Sequence, residues 1–330
     1  MKYLVTGSAG FIGFHLTRRL LDEGHEVTGF DAMTPYYDVT LKEARNGLLA
    51  RHSGFTAVLG QLEDADSLNR AADLARPDII VHLAAQAGVR YSLENPKAYI
   101  DSNLIGSWNV LELARRVKPQ HLLLASTSSI YGANPKVPFE ETDKADEPMS
   151  LYAATKKGME AMAHAYANLH RVPTTVFRFF TVYGPWGRPD MAPWLFTKAI
   201  LAGEPIKVFN HGKMQRDFTY IDDIVAGVIA CLDKPPADNG AAKPGGSVAP
   251  HAIYNIGNNR PEELLRFIDI IEQATGKTAI KDFQPMQPGD VPATYADIDA
   301  IARDMGYAPT TSLEVGLPKF VEWFRSYHGV

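Results

Sequence analysis

Short apolar runs alternate with longer amphipathic stretches through the first half of the chain. The apolar runs of strand length are residues 3–6, 26–31, 78–84, 121–125 and 174–180. Patterns with helical spacing lie between them, at residues 11–23, 104–117 and 152–170. Because strands that alternate with helices form parallel sheets, the pattern predicts an α/β fold with a Rossmann-like doubly wound parallel sheet.

The pattern changes after residue 180, where proline, glycine and aromatic residues replace the periodic runs. We therefore expect a smaller C-terminal lobe, formed by residues 181–217 and 258–330. The doubly wound domain takes residues 1–180, and we expect 218–257 to return to it. The other expectations are a surface excursion at 235–250 and amphipathic helices at 261–275 and 313–327.

Composition narrows the class of protein. The net charge of −5 gives no basic field for nucleic acid or for an anionic membrane, so neither partner is expected. Cys231 is the only cysteine, which excludes an internal disulfide and leaves too few thiolates for a structural zinc site. We predict no metal site, no membrane segment and a cytoplasmic location.

A glycine-rich segment joins the first predicted strand to the first predicted helix. Gly7, Gly10 and Gly13 let the backbone approach a pyrophosphate, and the helix that begins at Phe11 and Ile12 supplies unpaired N–H donors. The segment predicts a dinucleotide site. Its spacing is G-x-x-G-x-x-G, not the general G-x-G-x-x-G, so a simple tight turn is the alternative.

Asp31 ends the second predicted strand, 18 positions after Gly13 (31 − 13). An acidic residue at about this distance accepts hydrogen bonds from the adenosine ribose. It favours NAD over NADP, because no arginine or lysine lies between Asp31 and Lys42 to offset repulsion of a 2'-phosphate. The alternative is a solvated aspartate at a strand end.

Tyr152 and Lys156 are four residues apart and share one face of a predicted helix. A nearby ammonium favours phenolate, so the pair can form a base that removes a hydroxyl proton. Thr127, at the end of an apolar strand, is placed to share a hydrogen bond with the same hydroxyl. An exposed tyrosine beside a solvated lysine is the alternative.

Together with Leu83-Ala84-Ala85 and Asn103, these motifs resemble the extended short-chain dehydrogenase/reductase family over almost the whole chain. Longer blocks are similar to UDP-glucuronate 4-epimerases. These blocks are residues 83–92, 178–185, 188–192 and 215–220.

The resemblance implies bound NAD and a UDP-sugar whose C4 hydride is removed and returned through a 4-keto intermediate, with proton transfer by Tyr152. It implies a homodimer through the helices at 104–117 and 152–170. Gln61 departs from the aspartate usual in relatives. The cofactor residues that the resemblance implies, besides the glycine-rich segment and Asp31, are Gln61, Leu62, Leu83, Ala84, Ala85, Asn103, Tyr152, Lys156 and Tyr183.

The residues after Thr127 bear on the reaction type. Relatives that dehydrate or decarboxylate carry carboxylates there, whereas this chain has Ser128 and Ser129, which favours epimerisation. Arg188 offers a bidentate fork to the carboxylate of a uronate, with Thr181 and the two serines as neutral donors. A surface ion pair is the alternative for Arg188.

Three more residues are candidates for the substrate. Arg90 is a further candidate for the sugar. By resemblance, Arg216 binds the diphosphate and Asp290 the uridine; loop stabilisation is the alternative for both. Two rival functions stay open: 4-epimerisation of another UDP-hexose or UDP-N-acetylhexosamine, and non-catalytic NAD-binding regulation on the same fold.

Overall fold

A computed structural model describes residues 1–287 and 291–330. Its strands are β1 (Lys2–Thr6), β2 (Glu26–Asp31), β3 (Phe55–Leu59), β4 (Ile79–His82), β5 (His121–Thr127), β6 (Thr174–Phe179), β7 (Thr181–Tyr183), β8 (Pro205–Val208), β9 (Gln215–Tyr220), β10 (His251–Ile256), β11 (Pro261–Glu263) and β12 (Ile280–Phe283).

Seven of these strands form a parallel sheet in the order β10-β6-β5-β4-β1-β2-β3. The strand order reverses between β1 and β4, where Thr6 lies in register with His82. Ligands bind outside the carboxyl ends of the strands at such a reversal. The predicted doubly wound sheet is confirmed, and β10 brings a segment that follows residue 218 back to it.

The α-helices flank the sheets. They are α1 (Phe11–Asp22), α2 (Val39–Leu49), α3 (Ala65–Ala75), α4 (Tyr91–Glu94), α5 (Pro96–Tyr99), α6 (Gly106–Val117), α7 (Leu151–His170), α8 (Ala192–Ala202), α9 (Ile221–Leu232), α10 (Leu264–Thr275), α11 (Asp299–Met305) and α12 (Leu313–His328). Side-chain caps start several of them: Ser150, for example, accepts from the Ala153 amide at the start of α7.

Two expected helices differ from the structure. The one predicted at 104–117 is continuous with a π-helical segment, Ile100–Ile105. The sequence pattern did not predict this segment, because the spacing of apolar residues does not distinguish a π turn from an α turn. The one predicted at 261–275 begins only at Leu264. Pro261 instead starts β11, which pairs antiparallel with β9.

Smaller sheets lie beside the main one. Strands β11, β9 and β7 form a three-stranded sheet, and β12 pairs with β8. Residues 233–250 contain no helix or strand, in agreement with the expected excursion. Among the described residues no helix has the length and apolar character needed to span a membrane.

Two side chains of the first half hold the turn that follows β7. His15 on α1 hydrogen-bonds to the Pro185 carbonyl at 2.9 Å. Arg45 on α2 is fully buried and donates to the carbonyl oxygens of Trp186 and Ala9, at 2.6 Å and 2.9 Å. Arg45 thus ties the glycine-rich segment to the turn that leads into Arg188.

Candidate active site

One cavity of about 1230 Å³ opens at the carboxyl ends of the central strands. It exceeds the roughly 300–1000 Å³ typical of a pocket for a single small ligand, so it has room for two. Most of the predicted site residues line it: Gly7, Gly10, Phe11, Ile12, Gly13, Asp31, Gln61, Leu62, Leu83, Ala84, Ala85, Arg90, Thr127, Ser128, Ser129, Tyr152, Lys156, Thr181, Arg188 and Arg216.

The glycine-rich segment is compact because side chains would not fit. Gly7 has φ of +76°, and a Cβ there would lie 2.7 Å from the Ala84 nitrogen. A Cβ on Gly13 would lie 2.0 Å from the Gly7 carbonyl oxygen. Gly10 caps α1 without a side chain, so the first-turn N–H groups face a ligand with no capping group between. This donor set fits a pyrophosphate.

Asp31 lies in the same cavity, and its carboxylate accepts from the amides of Ala9 and Met33 at 3.0 Å and 2.8 Å. One cation, Lys42, lies close enough for the charge of Asp31 to act on it. Lys42 turns back to donate to Thr34 and lines the same cavity. Burial lowers the pKa of Lys42, and the charge of Asp31 opposes that shift.

Tyr152 and Lys156 lie on one face of α7, as predicted, but the ammonium is directed differently. Lys156 is buried and donates to the Ala125 carbonyl at 2.8 Å. Burial raises the pKa of Tyr152, whereas a hydrogen bond with Thr127 and the charge of Arg188 lower it. The charge of Arg188 therefore acts on this phenol, and the predicted contribution of Lys156 stays a prediction.

A buried network behind the catalytic face was not predicted. Glu160 lies one helical turn after Lys156 and pairs with Arg178 at 2.9 Å, both being almost inaccessible to solvent. Ser126, at the end of β5, donates to Glu160 at 2.6 Å. Burial lowers the pKa of Lys156 to about 8, and Glu160 opposes that shift. Glu160 therefore links the end of β5 to the charge state of Lys156.

Arg188 lies in the cavity, but Asp190 already accepts hydrogen bonds from one edge of its guanidinium. Its Nε donates to Asp190 at 3.0 Å and its Nη2 at 2.5 Å, and Tyr36 donates to the same carboxylate at 2.9 Å. Burial disfavours the charge of Arg188, but Asp190, together with Tyr36 and Tyr152, raises the pKa above its usual value. Arg188 thus forms an ion pair, within the cavity instead of on the surface, and its contact with a uronate carboxylate stays a prediction.

The remaining candidates surround the other end of the cavity. Arg216 donates to the carbonyl oxygens of Gln215 and Pro292, and the guanidinium of Arg90 lies 5.0 Å from the centre of the Phe209 ring. Asp290 lies outside the described residues. Within the described ranges, no group of three or more His, Cys, Asp or Glu side chains is arranged to hold a metal ion.

Two predicted cofactor residues lie behind the cavity wall. Asn103 is fully buried, and its amide bonds to the Gln86 backbone and the Thr155 hydroxyl, so it positions Gln86 instead of facing a ligand. The Tyr183 side chain packs against Gly316, and its hydroxyl donates to the Ser312 carbonyl at 3.3 Å. Its neighbour Thr181 does line the cavity.

Some charged residues outside the cavity have structural contacts. Tyr220 is the N-cap of α9, and Asp222 and Asp223 lie in its first turn. Asp223 accepts from the amides of Thr310 and Thr311. His82 is buried, with Thr6 and Ser107 as its hydrogen-bond partners.

Sequence reasoning missed Arg45, Tyr36 and Asp190. A signal existed for Arg45, which falls between Leu41 and Leu49 at spacings of four on the buried face of α2. A cation inside an apolar stripe indicates a buried, partnered role. Tyr36 and Asp190 gave no comparable signal, because they come from separate loops.

The fold and the cavity define a class. A glycine-rich turn under a helix N-terminus, an acidic residue after β2 and a tyrosine with a lysine four positions later lie on one cavity wall. This combination is that of a dinucleotide-binding enzyme that transfers a proton at a substrate hydroxyl.

Comparison with known proteins identifies the family. The model of the NAD dependent epimerase/dehydratase family matches residues 3–257, and the chain belongs to this family. A "Probable UDP-glucuronate 4-epimerase" of Rhizobium meliloti is 58% identical over 98% of this chain and 97% of its own length. Family membership confirms the predicted enzyme class and its NAD cofactor.

Solved structures agree with this family. The Bacillus cereus UDP-glucuronic acid 4-epimerase, in complex with UDP-glucuronic acid and NAD, has a TM-score of 0.88 at 32% identity, over 99% of this chain and all of that one. A Thermotoga maritima UDP-glucose 4-epimerase with UDP-glucose has a TM-score of 0.87 at 30% identity, with the same coverage. Backbone similarity therefore does not separate the two sugars.

Proposed function

We propose that the protein catalyses the NAD-dependent 4-epimerisation of UDP-glucuronate to UDP-galacturonate. The observation that carries the proposal is the position of Arg188 in the same cavity as Tyr152 and Thr127, so that a cation faces the proton-transfer group. The Rhizobium meliloti relative supports the same substrate.

The residues of the chain divide the chemistry. Tyr152 takes the proton of the sugar 4-hydroxyl, with Thr127 hydrogen-bonded to the phenol and Arg188 stabilising its negative charge. Lys156 binds the nicotinamide ribose and adds positive charge. NAD, when bound, accepts the hydride of C4 and later returns it to the opposite face. Tyr152 then gives its proton back to the 4-oxygen, so no net redox change results.

The uronate carboxylate needs a fixed partner. A 4-keto uronate is a β-keto acid. It loses carbon dioxide when its C5–C6 bond is perpendicular to the plane of the C4 carbonyl. Arg188 supplies charged donors, and Thr181, Ser128 and Ser129 supply neutral ones on the same cavity. Ser128 and Ser129 stand where relatives that dehydrate or decarboxylate have carboxylates. Because an additional acid or base is missing at these positions, return of the hydride is favoured.

Incubation with UDP-glucuronate, followed by separation of the nucleotide sugars, tests the proposal. We expect UDP-galacturonate to form without added reductant. UDP-glucose under the same conditions is the control for the rival neutral substrate. Turnover of UDP-glucose alone would replace the proposal with the neutral-hexose epimerase, and a UDP-pentose as the main product would replace it with a decarboxylase.

The assembly and location are also proposals. We propose that residues 1–180 with 218–257 hold the cofactor and that 181–217 with 258–330 cover the substrate. We infer a homodimer through α6 and α7, supported by the exposed Trp108 on α6 and the exposed Ile105 directly before it. A cytoplasmic location is supported by the single, buried Cys231, which suits a reducing compartment.

A further inference from the structure

Asp190 is a charged residue in the cavity to which the proposed chemistry gives no role. Its two carboxylate oxygens face the Nε and Nη2 atoms of Arg188, so that the two planar groups meet along one edge. The exposed fractions of the two side chains are 22% for Arg188 and 30% for Asp190. Asp190 lines the cavity together with Tyr152.

This pairing decides which donors of Arg188 remain for a ligand. A guanidinium has five N–H donors in a planar fork, and Asp190 takes the Nε edge. The donors left are those at the end of the side chain, on Nη1 and the outer side of Nη2. A substrate carboxylate can therefore bind only end-on, and its plane follows the plane that Asp190 imposes on Arg188.

Tyr36 is a second donor to Asp190. Its hydroxyl donates to Asp190 at 2.9 Å, and its ring lies 4.8 Å from that of Tyr91. The hydroxyl also fits against Gly88, where a Cβ would lie 2.5 Å from it. The Arg188 guanidinium lies 6.0 Å from the centre of the Tyr36 ring. Asp190 is thus fixed between Arg188 and Tyr36.

We propose that Asp190, held by Tyr36, is a positioning residue that fixes the end-on face of Arg188 and so keeps the uronate carboxylate out of the orientation that loses carbon dioxide. The proposal rests on the function proposed above and deepens it. Asp190 does not touch the reacting atoms and acts only through Arg188.

The pair also sets the local charge. Asp190 offsets part of the charge of Arg188 where the carboxylate of the substrate would bind. Replacement of Asp190 by asparagine leaves Arg188 with its full charge, which attracts the carboxylate at least as strongly, but removes the partner that fixes the guanidinium plane. Affinity and orientation therefore respond in opposite directions, which a purely structural role does not predict.

Misorientation has a definite chemical product. In the 4-keto uronate the C5–C6 bond breaks and C6 leaves as carbon dioxide. The electrons of that bond form an enolate with the C4 carbonyl. A proton then adds at C5. The product is a UDP-4-keto-pentose, which becomes a UDP-pentose when the hydride taken from C4 returns to it.

The test compares Asp190→Asn and Tyr36→Phe with the parent protein, all loaded with NAD. For Asp190→Asn with UDP-glucuronate we expect kcat to fall roughly 10- to 100-fold, without a rise in KM, because misplaced groups lose catalysis more than binding. We expect carbon dioxide and UDP-pentose species to become a measurable share of the products. Tyr36→Phe should change kcat and products in the same direction, by less.

Asp238→Asn is the matched control. Asp238 forms the same edge-on pair with Arg171, but on the surface and away from the cavity, so its loss should leave kcat, KM and products unchanged. Melting temperature and bound NAD are measured for every variant. They show whether a variant has kept its fold.

Three results overturn the inference. One is an Asp190→Asn protein that keeps the parent's kcat and product distribution. Another is a folded Asp190→Asn or Tyr36→Phe protein whose KM rises while no decarboxylated product forms. A parent protein that makes no UDP-galacturonate refutes the proposed function first, and the inference with it. If Asp190→Asn does not fold, Tyr36→Phe decides the question alone.

Discussion

Tyr152 lines the cavity, and the proposed chemistry depends on it because we propose it as the proton-transfer group. Tyr152→Phe removes only the phenolic oxygen and keeps the ring that packs edge-on against Tyr99, with centroids 6.1 Å apart. We expect kcat to fall about 10²- to 10⁴-fold, the usual contribution of a positioned acid or base. Bound NAD and melting temperature should stay at the parent's values, and an active Tyr152→Phe protein would refute the assignment.

Lys156 gives a pH-dependent prediction for stability. Burial lowers its pKa to about 8 in the folded protein, below the value near 10.5 of an exposed lysine. Between these values the unfolded chain holds a proton that the folded protein has released. The unfavourable burial of the ammonium is therefore present in full below pH 8 and is relieved as the pH rises towards 10.5.

Lys156→Met removes this titration. We expect the free energy of unfolding of the parent, relative to Lys156→Met, to rise with pH above 8 by on the order of 1 kcal/mol per pH unit. Urea unfolding of both proteins, freed of bound nucleotide and measured from pH 7 to 10, gives this difference. A difference that stays flat or falls with pH contradicts the lowered pKa.

Single residues also mark how far sequence reasoning reached. The spacing of Tyr152 and Lys156 predicted a shared helix face, because four residues make about one helical turn. It did not predict that the ammonium of Lys156 would bond to Ala125. Tyr36 and Asp190 are 154 positions apart, so only the folded chain brings them together. Local spacing predicts contacts within an element and says little about contacts between loops.

At the scale of elements, the turn from β1 into α1 is the tightest junction of the cavity. A Cβ on Gly13 would lie 2.0 Å from the Gly7 carbonyl oxygen, a backbone atom that cannot rotate away. Gly13→Ala must therefore open the turn that faces the pyrophosphate. We expect loss of measurable NAD binding by calorimetry, together with a lower melting temperature.

Gly47→Ala is the control for this change. Gly47 lies in α2 with nothing within 4 Å of an added Cβ, and its φ is not positive. Alanine should stabilise the helix by about 0.5–1 kcal/mol and leave NAD binding unchanged. Equal effects of the two substitutions on NAD binding would show that the turn geometry is not the cause.

Element boundaries, and the poorly buried edge strand β3, were not predicted by the local pattern. The apolar runs placed the central strands to within a few residues, because burial on both faces needs continuous apolar sequence. The first three residues of the helix expected from residue 261 form β11 instead. Their conformation is determined by pairing with β9, which the local sequence pattern does not show. Tertiary pairing, absent from local sequence, decided that boundary.

At the scale of the whole molecule, one helical layer carries apolar side chains on its outer surface. Helices α6 and α7 pack side by side, and Trp108 donates to the Tyr166 hydroxyl across their outer faces. Ile105 and Trp108 are 40% and 48% exposed, and Leu169 at the end of α7 is 71% exposed. Apolar side chains that cluster on one face are typical of a subunit interface.

Ile105→Glu tests the proposed homodimer. A carboxylate at this position would lie opposite its own symmetry mate or a buried apolar surface, and an unpaired charge in an interface strongly opposes association. We expect light scattering coupled to size-exclusion chromatography to give a mass of about two chains for the parent and one chain for the variant. Val315→Glu on α12, at a site 49% exposed, adds the same charge elsewhere and should leave the mass of the parent unchanged. A parent protein that elutes as a single chain refutes the dimer. An Ile105→Glu variant that remains dimeric places the interface on another face, so that the exposed surface of α6 and α7 has no role in assembly.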